Sequence, residues 1–180
     1  MIVEIAGQPG IGKLTIGRLL TEHLVGRLLD NHSIYNVGFA LAEPRSEAFY
    51  RTVRAVRDIA WQAAVEDLPP QVPLVLTTAS GTIGWWREEW RDAVIDLARR
   101  RGSRLFVAHL LCSDDENRRR IASPDRLASR KPTDVAIVDL RDERQSLIDH
   151  GDALLELDVT ALGADEAATR IAAWARTQSL

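Results

Sequence analysis

The chain has 180 residues, of which 46% are hydrophobic and 27% are charged, and its formal net charge is −3. A chain of this length can bury roughly 70% of its unfolded surface, so it suits a single globular domain over residues 1–180. The weak negative charge argues against duplex nucleic acid or an anionic membrane as a partner.

Cysteine usage and hydropathy point to the cytoplasm. Cys112 is the single cysteine, so no internal disulfide is possible. The first residues, MIVEIA, are interrupted by Glu4 and do not form a signal peptide pattern. No apolar run approaches the ~20 residues that a membrane span needs. We therefore expect a cytoplasmic protein without a membrane partner, as a monomer or a homodimer.

Strand and helix patterns alternate along the chain. Apolar and β-branched runs predict five strands, at residues 2–6, 27–29, 73–79, 103–112 and 153–159. Apolar residues at helical spacing predict five helices, at residues 13–25, 44–66, 86–100, from 113 onward, and at 164–175. This alternation is typical of a parallel sheet with helices on both faces.

The segment 44–66 is predicted to be a long amphipathic helix with Pro44 in its first turn. Its apolar face is predicted to carry Phe49, Val53, Val56, Ala60 and Ala63. Three arginines of this helix lie three residues apart and so share a face: Arg51, Arg54 and Arg57. They could bind an acidic acceptor, or they form the solvated face of the helix.

The most informative motif is GQPGIGKLT, residues 7–15, between the first predicted strand and the first predicted helix. Glycines let successive backbone N–H groups curl around phosphate oxygens, because no Cβ obstructs the approach. The helix points its positive end at the same anion, and Lys13 can reach the β and γ phosphates. The nucleotide-binding residues are predicted to be Gly7, Gln8, Pro9, Gly10, Ile11, Gly12, Lys13, Leu14 and Thr15.

The strict pattern G-x-x-x-x-G-K places Ser or Thr directly after the lysine, whereas Leu14 follows here and Thr15 comes one position later. This arrangement, G-x-P-G-x-G-K-x-T, resembles the adenylate kinase group. The resemblance implies ATP and Mg²⁺ as cofactors, with the metal held mostly through water and phosphate. Thr15 is the candidate metal residue of this motif, directly or through water.

A second stretch, VGRLLDNHSIYN at residues 25–36, resembles the end of the second strand in shikimate kinase and related small-molecule kinases. Asp30 matches the first aspartate of the D-x-D found there, and His32 replaces the second. The resemblance implies that Asp30 orients Mg²⁺ through water or takes the proton of an acceptor hydroxyl. His32 is a candidate substrate residue whose presence argues against shikimate. Whether Asp30 or His32 acts as base stays open, and capping of a turn is the structural alternative for Asp30.

A third stretch, residues 115–134, lies between the last two predicted strands, where kinases of this group carry a lid, here at about 115–131. By position, Arg120 resembles the lid arginine that stacks on adenine, and Arg126 the one that closes on phosphate. Arg126 and Arg130 are predicted to be catalytic, because guanidinium groups neutralise a transferring phosphoryl group well. A solvated basic helix face is the alternative.

Motifs of two other nucleotide-binding classes do not explain the sequence. A GTPase would carry the guanine-reading N-K-x-D, which the sequence lacks. An ATPase of the AAA type would show an apolar strand ending in Asp-Glu, and HLLCSDDE is the candidate. Ser113 with Glu116 three residues later is better explained as a capping box for the next helix.

The last candidate region is residues 80–90, SGTIGWWREEW, which starts where the third predicted strand ends. Ligands of open parallel sheets bind outside the carboxyl ends of strands, so Ser80 is predicted to border an acceptor pocket. Trp85 and Trp86 are adjacent on a helix, so they differ by about 100° and cannot face the same core. Trp90 is the predicted packing partner of Trp86, which leaves Trp85 as the candidate acceptor platform.

In element order the chain resembles the adenylate kinase, shikimate kinase, gluconate kinase and chloramphenicol phosphotransferase families. The resemblance implies an α/β P-loop three-layer fold, with a five-stranded parallel sheet of order 2-3-1-4-5 and an arginine-rich lid. It also implies an ATP-dependent kinase acting on a hydroxyl of a small molecule, whose identity the sequence does not give.

A nucleotide or nucleoside monophosphate kinase is the first alternative, and a nucleotide-binding module with slow NTPase activity is the second. The preference for ATP over GTP is also open.

Three further histidines have no metal-ligand spacing and are given no role: His23, His109 and His150.

Overall fold

The computed structural model describes residues 1–79, 84–123, 138, 148 and 150–179. Within this part of the chain, five parallel strands form one sheet in the order β2-β3-β1-β4-β5. The strands are β1 (Ile2–Gly7), β2 (Arg27–Leu29), β3 (Leu74–Ala79), β4 (Leu105–Leu111) and β5 (Ala153–Asp158). The predicted strand order is confirmed, and it places β1, which leads into the glycine-rich motif, in the middle of the sheet.

Helices cover both faces of this sheet, as predicted. They are α1 (Lys13–Leu24), α2 (Asn31–Leu41), α3 (Glu47–Glu66), α4 (Gly84–Arg100), α5 (Asp114–Ile121) and α6 (Ala164–Gln178). In the described residues, no helix combines the length and the apolar character that crossing a bilayer requires. The predicted boundaries agree with these elements to within a few residues, and α2 was not predicted.

Two cores lie on the two faces of the sheet, because alternate residues of each strand point in opposite directions. On one face Val3 and Ile5 of β1 pack with Ile16 of α1 and Ile171 of α6. On the other face Ile2 joins aliphatic strand residues and a group of large aromatic residues from α2, α3 and α4. Burying one aliphatic side chain of this size contributes roughly 1.5–3 kcal/mol, so both faces stabilise the sheet.

Helix α2 was not predicted from the sequence. Asp30 is its N-cap, and the Asp30 side chain accepts a hydrogen bond from the backbone N–H of His32. Gly38 lets the helix approach α3 closely, because a Cβ there would lie 2.8 Å from Cγ2 of Val53. Asn, Ser and Gly are weak helix formers, so the packing against α3 stabilises this helix more than its own composition does.

Helix α3 begins later than predicted. Ser46 is its N-cap, with Oγ accepting from the backbone N–H of Phe49 at 3.1 Å. Pro44 therefore precedes the helix instead of lying in its first turn, which corrects the predicted start. The predicted capping box of α5 is half confirmed. Oγ of Ser113 accepts from the backbone N–H of Glu116 at 3.4 Å, but the backbone N–H of Ser113 donates to Oγ1 of Thr160 and the Glu116 carboxylate binds Arg119 and Arg120 instead.

The buried face of α3 also differs from the prediction. Ala63 is exposed, and the buried residues are Phe49, Tyr50, Val53, Arg57, Trp61 and Ala64. The face is rotated because the large ring of Trp61 points into the core. Arg57 joins it there because ion pairs with Asp58 and Glu89 compensate for the burial of its charge.

Candidate functional site

The glycine-rich turn, residues 7–13, has a backbone that favours glycine. Gly10 and Gly12 have φ angles of 92° and 102°, which L side chains adopt at a cost. A Cβ on Gly10 would lie 2.4 Å from Cγ1 of Ile121 and 2.6 Å from Oδ1 of Asn117. The turn is therefore packed directly against α5, and Gly10 is required by both conformation and space.

Lys13 opens α1 and folds back over this turn. Its Nζ donates to the carbonyl oxygens of Gly7 at 2.7 Å and of Gln8 at 2.9 Å. Gly12, the N-cap of α1, offers no side chain to the N–H groups of the first turn. Backbone donors, the positive end of a helix and an ammonium group thus meet at one place, a combination that is typical of phosphate-binding sites.

The other residues of the motif support or border this turn. Ile11 is buried in the core shared with α1 and α6. Thr15 is exposed in the first turn of α1, where a hydroxyl is open to a ligand. The partly exposed members of the motif are Gln8, Pro9, Gly10, Gly12, Lys13 and Leu14.

Arg120 of α5 binds the backbone of the glycine-rich turn. Its guanidinium donates to the carbonyl oxygens of Ile11 at 3.0 Å and of Val159 at 2.7 Å, and to Oε1 of Glu116 at 2.7 Å. Hydrogen bonds from Arg119 and Arg120 lower the pKa of Glu116 to about 2, so this carboxylate is ionised at neutral pH. Arg120 joins α5, the turn and the loop after β5, and its stacking on adenine stays a prediction.

Asp30 lies at the carboxyl end of β2 and is 9% exposed. Its Oδ1 accepts from the hydroxyl of Thr77 at 2.6 Å, and its Oδ2 accepts from the backbone N–H of His32 at 3.3 Å. These bonds fix the carboxylate to β3 and to the start of α2, and each oxygen keeps a lone pair for a proton or a water. Asp30 can therefore cap α2 and still accept a proton or bind a water.

The arginines of α3 are paired with acids. Arg54 donates to both oxygens of Glu89 at 2.7 Å, and Arg57 donates to Oε1 of Glu89 at 3.3 Å. The hydrogen bond from Arg54 lowers the pKa of Glu89. Arg57 is 8% exposed, so a solvated arginine face is wrong for this residue, whereas Arg51 is exposed. The partner Glu89 comes from α4, which a reading of α3 alone cannot show.

Most aromatic side chains gather on α2, α3 and α4, on one face of the sheet. The chain has five Trp, two Tyr and three Phe. Eight of these ten form a connected group, the aromatic cluster: Tyr35, Phe39, Phe49, Tyr50, Trp61, Trp85, Trp86 and Trp90. Trp86 and Trp90 are 2% and 9% exposed, whereas Trp85 is 48% exposed, which is the distribution that helical spacing predicts.

A small cavity connects the aromatic cluster with the surroundings of Asp30. It is lined by Leu29, Asn31, Ile34, Trp61, Leu76, Thr77, Thr78 and Trp90. The indole N–H groups of Trp61 and Trp90 are buried and have no hydrogen-bond partner in the described part of the chain. Buried donors normally have partners, so each of these N–H groups can donate to a polar atom of a ligand or to water.

A buried polar network on β1 was missed by the sequence reasoning. Glu4 is 2% exposed, its Oε1 accepts from the hydroxyl of Thr78 at 2.7 Å, and its Oε2 lies 2.7 Å from Nε2 of His150. His150 thus ties the chain before β5 to the strand that enters the glycine-rich turn. The expectation that His150 has no role is corrected to this structural one. The signal was a single glutamate inside the apolar run MIVEIA.

Several predicted site residues lie outside the described residues: Ser80, Arg126, Arg130 and the part of the proposed lid from 124 to 131. Among the residues that are described, no group of three or more His, Cys, Asp or Glu side chains could hold a metal alone. Mg²⁺ in kinases is usually bound through one or two carboxylates together with substrate phosphates. The donor set of Asp30 and Thr15 fits that mode of binding.

No protein-family model matches the sequence, and no curated protein matches it. Solved structures do match. A proposed kinase from Chloroflexus aurantiacus aligns with a TM-score of 0.69 and 20% identity over 98% of this chain and 94% of that chain. The tunicamycin resistance protein of Deinococcus radiodurans aligns with a TM-score of 0.62 and 17% identity, over 97% and 94%.

A shikimate kinase from Acinetobacter baumannii, solved in complex with shikimate, aligns with a TM-score of 0.58 and 22% identity, over 99% of this chain and 94% of that chain. Coverage is nearly complete in all three alignments, so the likeness extends over the whole sheet and its helices. At these identities it establishes the fold. The chain has the fold of the small P-loop kinases, as its motifs and strand order predicted.

Proposed function

We propose that this protein is an ATP- and Mg²⁺-dependent kinase that phosphorylates a hydroxyl group of a small molecule. The observation that carries the proposal is the placement of Lys13 and Asp30 at one edge of the sheet. Lys13 follows β1 and Asp30 follows β2, with only β3 between these strands. The carboxyl edge of an open parallel sheet is where ligands bind.

Lys13 and the backbone donors at the start of α1 would hold the β and γ phosphates. The ammonium group now rests on the carbonyl oxygens of Gly7 and Gln8, and a flexible lysine can exchange these partners for phosphate oxygens. Catalysis of phosphoryl transfer consists mainly of positioning and charge neutralisation. Arg126 and Arg130 are proposed to add positive charge, and Arg120 to contact the adenine.

Asp30 would act on the acceptor. In the transfer, the acceptor oxygen bonds to the γ phosphorus, the bond to the bridging oxygen breaks, ADP leaves, and the hydroxyl proton moves to a base. The bonds from Thr77 and His32 hold the carboxylate of Asp30 in place for this role. Asp30 and Thr15 would hold Mg²⁺ through water, and the metal would supply charge neutralisation on the phosphates.

The acceptor is proposed to lie between Asp30 and the aromatic cluster, near His32, Ser80 and Trp85. Arg57, also predicted to touch the acceptor, has its guanidinium over the ring of Trp61 at 5.2 Å and paired with acids. We therefore assign Arg57 to the wall of this pocket. A nucleoside monophosphate acceptor fits less well, because its phosphate needs cations that are not already neutralised.

Calorimetric titration with ATP and Mg²⁺ tests the proposal. The wild-type protein is expected to bind, and Lys13→Ala to weaken binding by about tenfold or more, because a charged contact to phosphate is lost. Arg18→Ala, an exposed change on the same helix, is the control. Equal ATP affinity in Lys13→Ala and wild type contradicts the proposal. ADP release that no acceptor alcohol increases identifies the slow NTPase instead.

A further inference from the structure

Part of the aromatic cluster is open at the surface and rigidly supported. The rings of Phe39 and Phe49, of Phe49 and Tyr50, and of Tyr50 and Trp85 lie 5.0, 5.4 and 4.8 Å apart, centroid to centroid. The two ends of this row, Phe39 and Trp85, are each 48% exposed, whereas Phe49 and Tyr50 are buried. Exposed aromatic surface held on a buried base is typical of a binding surface.

The position that a ligand cation would take over these rings is already occupied by Arg54. The guanidinium carbon of Arg54 lies 5.8 Å from the ring centre of Trp85 and 5.2 Å from that of Trp86. A ligand cation could take this position over the rings only by displacing the guanidinium group of Arg54. An amine or other cation is therefore disfavoured, even though aromatic rings alone would attract one.

Arg54 is likewise not available to a ligand anion, because Glu89 already binds it. Both oxygens of Glu89 accept from Arg54 at 2.7 Å, a bidentate pair of the strong, charge-assisted kind. A ligand carboxylate could reach Arg54 only by displacing Glu89. An acidic acceptor is disfavoured because this would leave Glu89 without its partner.

In the cavity near Asp30, the two indole N–H groups are uncharged hydrogen-bond donors. Trp61 and Trp90 line the cavity beside Thr77, and their indole N–H groups have no partner among the described residues. Burial raises the pKa of Tyr35 to about 12, so its hydroxyl stays neutral while it accepts from Nε1 of Trp86 at 2.6 Å. Uncharged oxygens, such as hydroxyl or carbonyl groups, are the partners that such donors favour.

We propose that the acceptor is a neutral alcohol carrying a flat apolar ring, which packs on Trp85 with its oxygen atoms directed toward Asp30. This inference rests on the proposed kinase function and names the class of its acceptor. Charged alcohols are discriminated against because Arg54 and Glu89 neutralise each other at the wall of the pocket.

Three matched alcohols test this class directly. Phenylethylene glycol, mandelate and phenylethanolamine share a phenyl ring and a benzylic hydroxyl, and carry a neutral, an anionic and a cationic neighbour group. Binding of each to the wild-type protein is measured by tryptophan fluorescence and ligand-observed NMR at millimolar concentrations. The neutral glycol is expected to bind at least about tenfold more tightly than either charged analogue. Trp85→Ala is expected to weaken glycol binding by about fivefold or more.

A charge-exchange variant sharpens the test. Glu89→Gln frees Arg54, so mandelate affinity is expected to rise by about tenfold through a new charge-assisted pair. Glu88→Gln, which removes one negative charge from the neighbouring exposed position, is the matched control and should leave mandelate affinity unchanged. Both variants are compared at equal folded fraction, checked by thermal melting.

The outcomes separate this inference from the proposed function. Tighter binding of mandelate or phenylethanolamine, or no saturable glycol binding, overturns the inference while ATP binding still supports a kinase. Absence of ATP binding with retained, Trp85-dependent glycol binding contradicts the kinase and leaves a pocket for neutral ring alcohols. A dimer that Trp85→Ala dissociates shows that the exposed rings form an interface, which also overturns the inference.

Discussion

The glycine-rich turn and the aromatic cluster form two sides of the proposed site, and they are built in opposite ways. The turn consists of consecutive residues, 7–13, and offers mostly backbone groups and one lysine. The acceptor side joins side chains that are far apart in the sequence, such as Tyr35 with Trp86 and Arg54 with Glu89, separated by 51 and 35 residues. Phosphate is the same in every nucleotide, so one short motif suffices, whereas an acceptor pocket can vary on a shared fold.

The two faces of the sheet repeat this contrast. On the face of α1 and α6 the core is mainly aliphatic, with Phe106 and Trp174 as an aromatic pair at 5.9 Å. On the face of α2, α3 and α4 the aliphatic core also contains the buried rings of Phe49, Tyr50, Trp61, Trp86 and Trp90. Aromatic side chains combine apolar area with hydrogen-bonding edges, so the second face can serve both as a core and as a pocket wall.

The largest expected effect tests whether Asp30 belongs to the chemistry or only to the cap of α2. Asp30→Asn should lower turnover on the order of 10³-fold while ATP affinity stays nearly constant, because an amide is a poor base but a good N-cap. Steady-state kinetics and calorimetry measure the two effects. Ser46→Ala, which removes the cap of α3, is the control for lost capping. If Asp30→Asn keeps most of its turnover, Asp30 only caps α2 and takes no part in the reaction.

A glycine exchange tests how tightly the turn is packed on α5. Gly10→Ala should lower the free energy of unfolding by about 3 kcal/mol, from backbone strain and from overlap with Ile121. It should also weaken ATP binding, because the turn must move. Gly163→Ala is the control, since a Cβ at Gly163 meets nothing within 4 Å. Chemical denaturation measures both variants, and equal stabilities would show that the turn yields easily.

The next prediction concerns the buried contact between Glu4 of β1 and His150. His150→Ala should lower the free energy of unfolding by about 2 kcal/mol, because the buried carboxylate of Glu4 then loses the imidazole of His150 and keeps the hydroxyl of Thr78. His23→Ala is the matched control, since the ion pair of His23 with Asp165 is largely exposed. A change in stability no larger than that of the control would contradict a tethering role for His150.

The smallest expected effect concerns the pocket rim. Trp85→Phe should raise the acceptor KM a few-fold, because a smaller ring covers less of the ligand, and leave ATP affinity unaltered. It should also remove an acceptor-dependent change in fluorescence. Kinetics at saturating ATP measure KM, and Trp174→Phe, on the opposite face, is the control for the loss of one indole. An unaltered KM leaves Trp85 with a packing role.

The sequence by itself determined the features that depend on neighbouring residues. The motif at residues 7–15, the alternation of strands and helices, and the cap at Ser113 were all readable, because hydrogen bonds and backbone conformations of this kind are local. The exposure of Trp85 and the burial of Trp86 followed from helical geometry alone. The strand order came from the resemblance to known kinase families and agrees with the sheet.

Only the tertiary structure decided which side chains meet. Helix α2 escaped prediction because its weak helix formers depend on packing against α3. The burial of Arg57 could not be foreseen without Glu89 of α4, and the partner of Asp30, Thr77, lies 47 residues away. Glu4 and His150 are 146 residues apart. Contacts over such separations are fixed by the packing of the whole sheet, so no local pattern in the sequence records them.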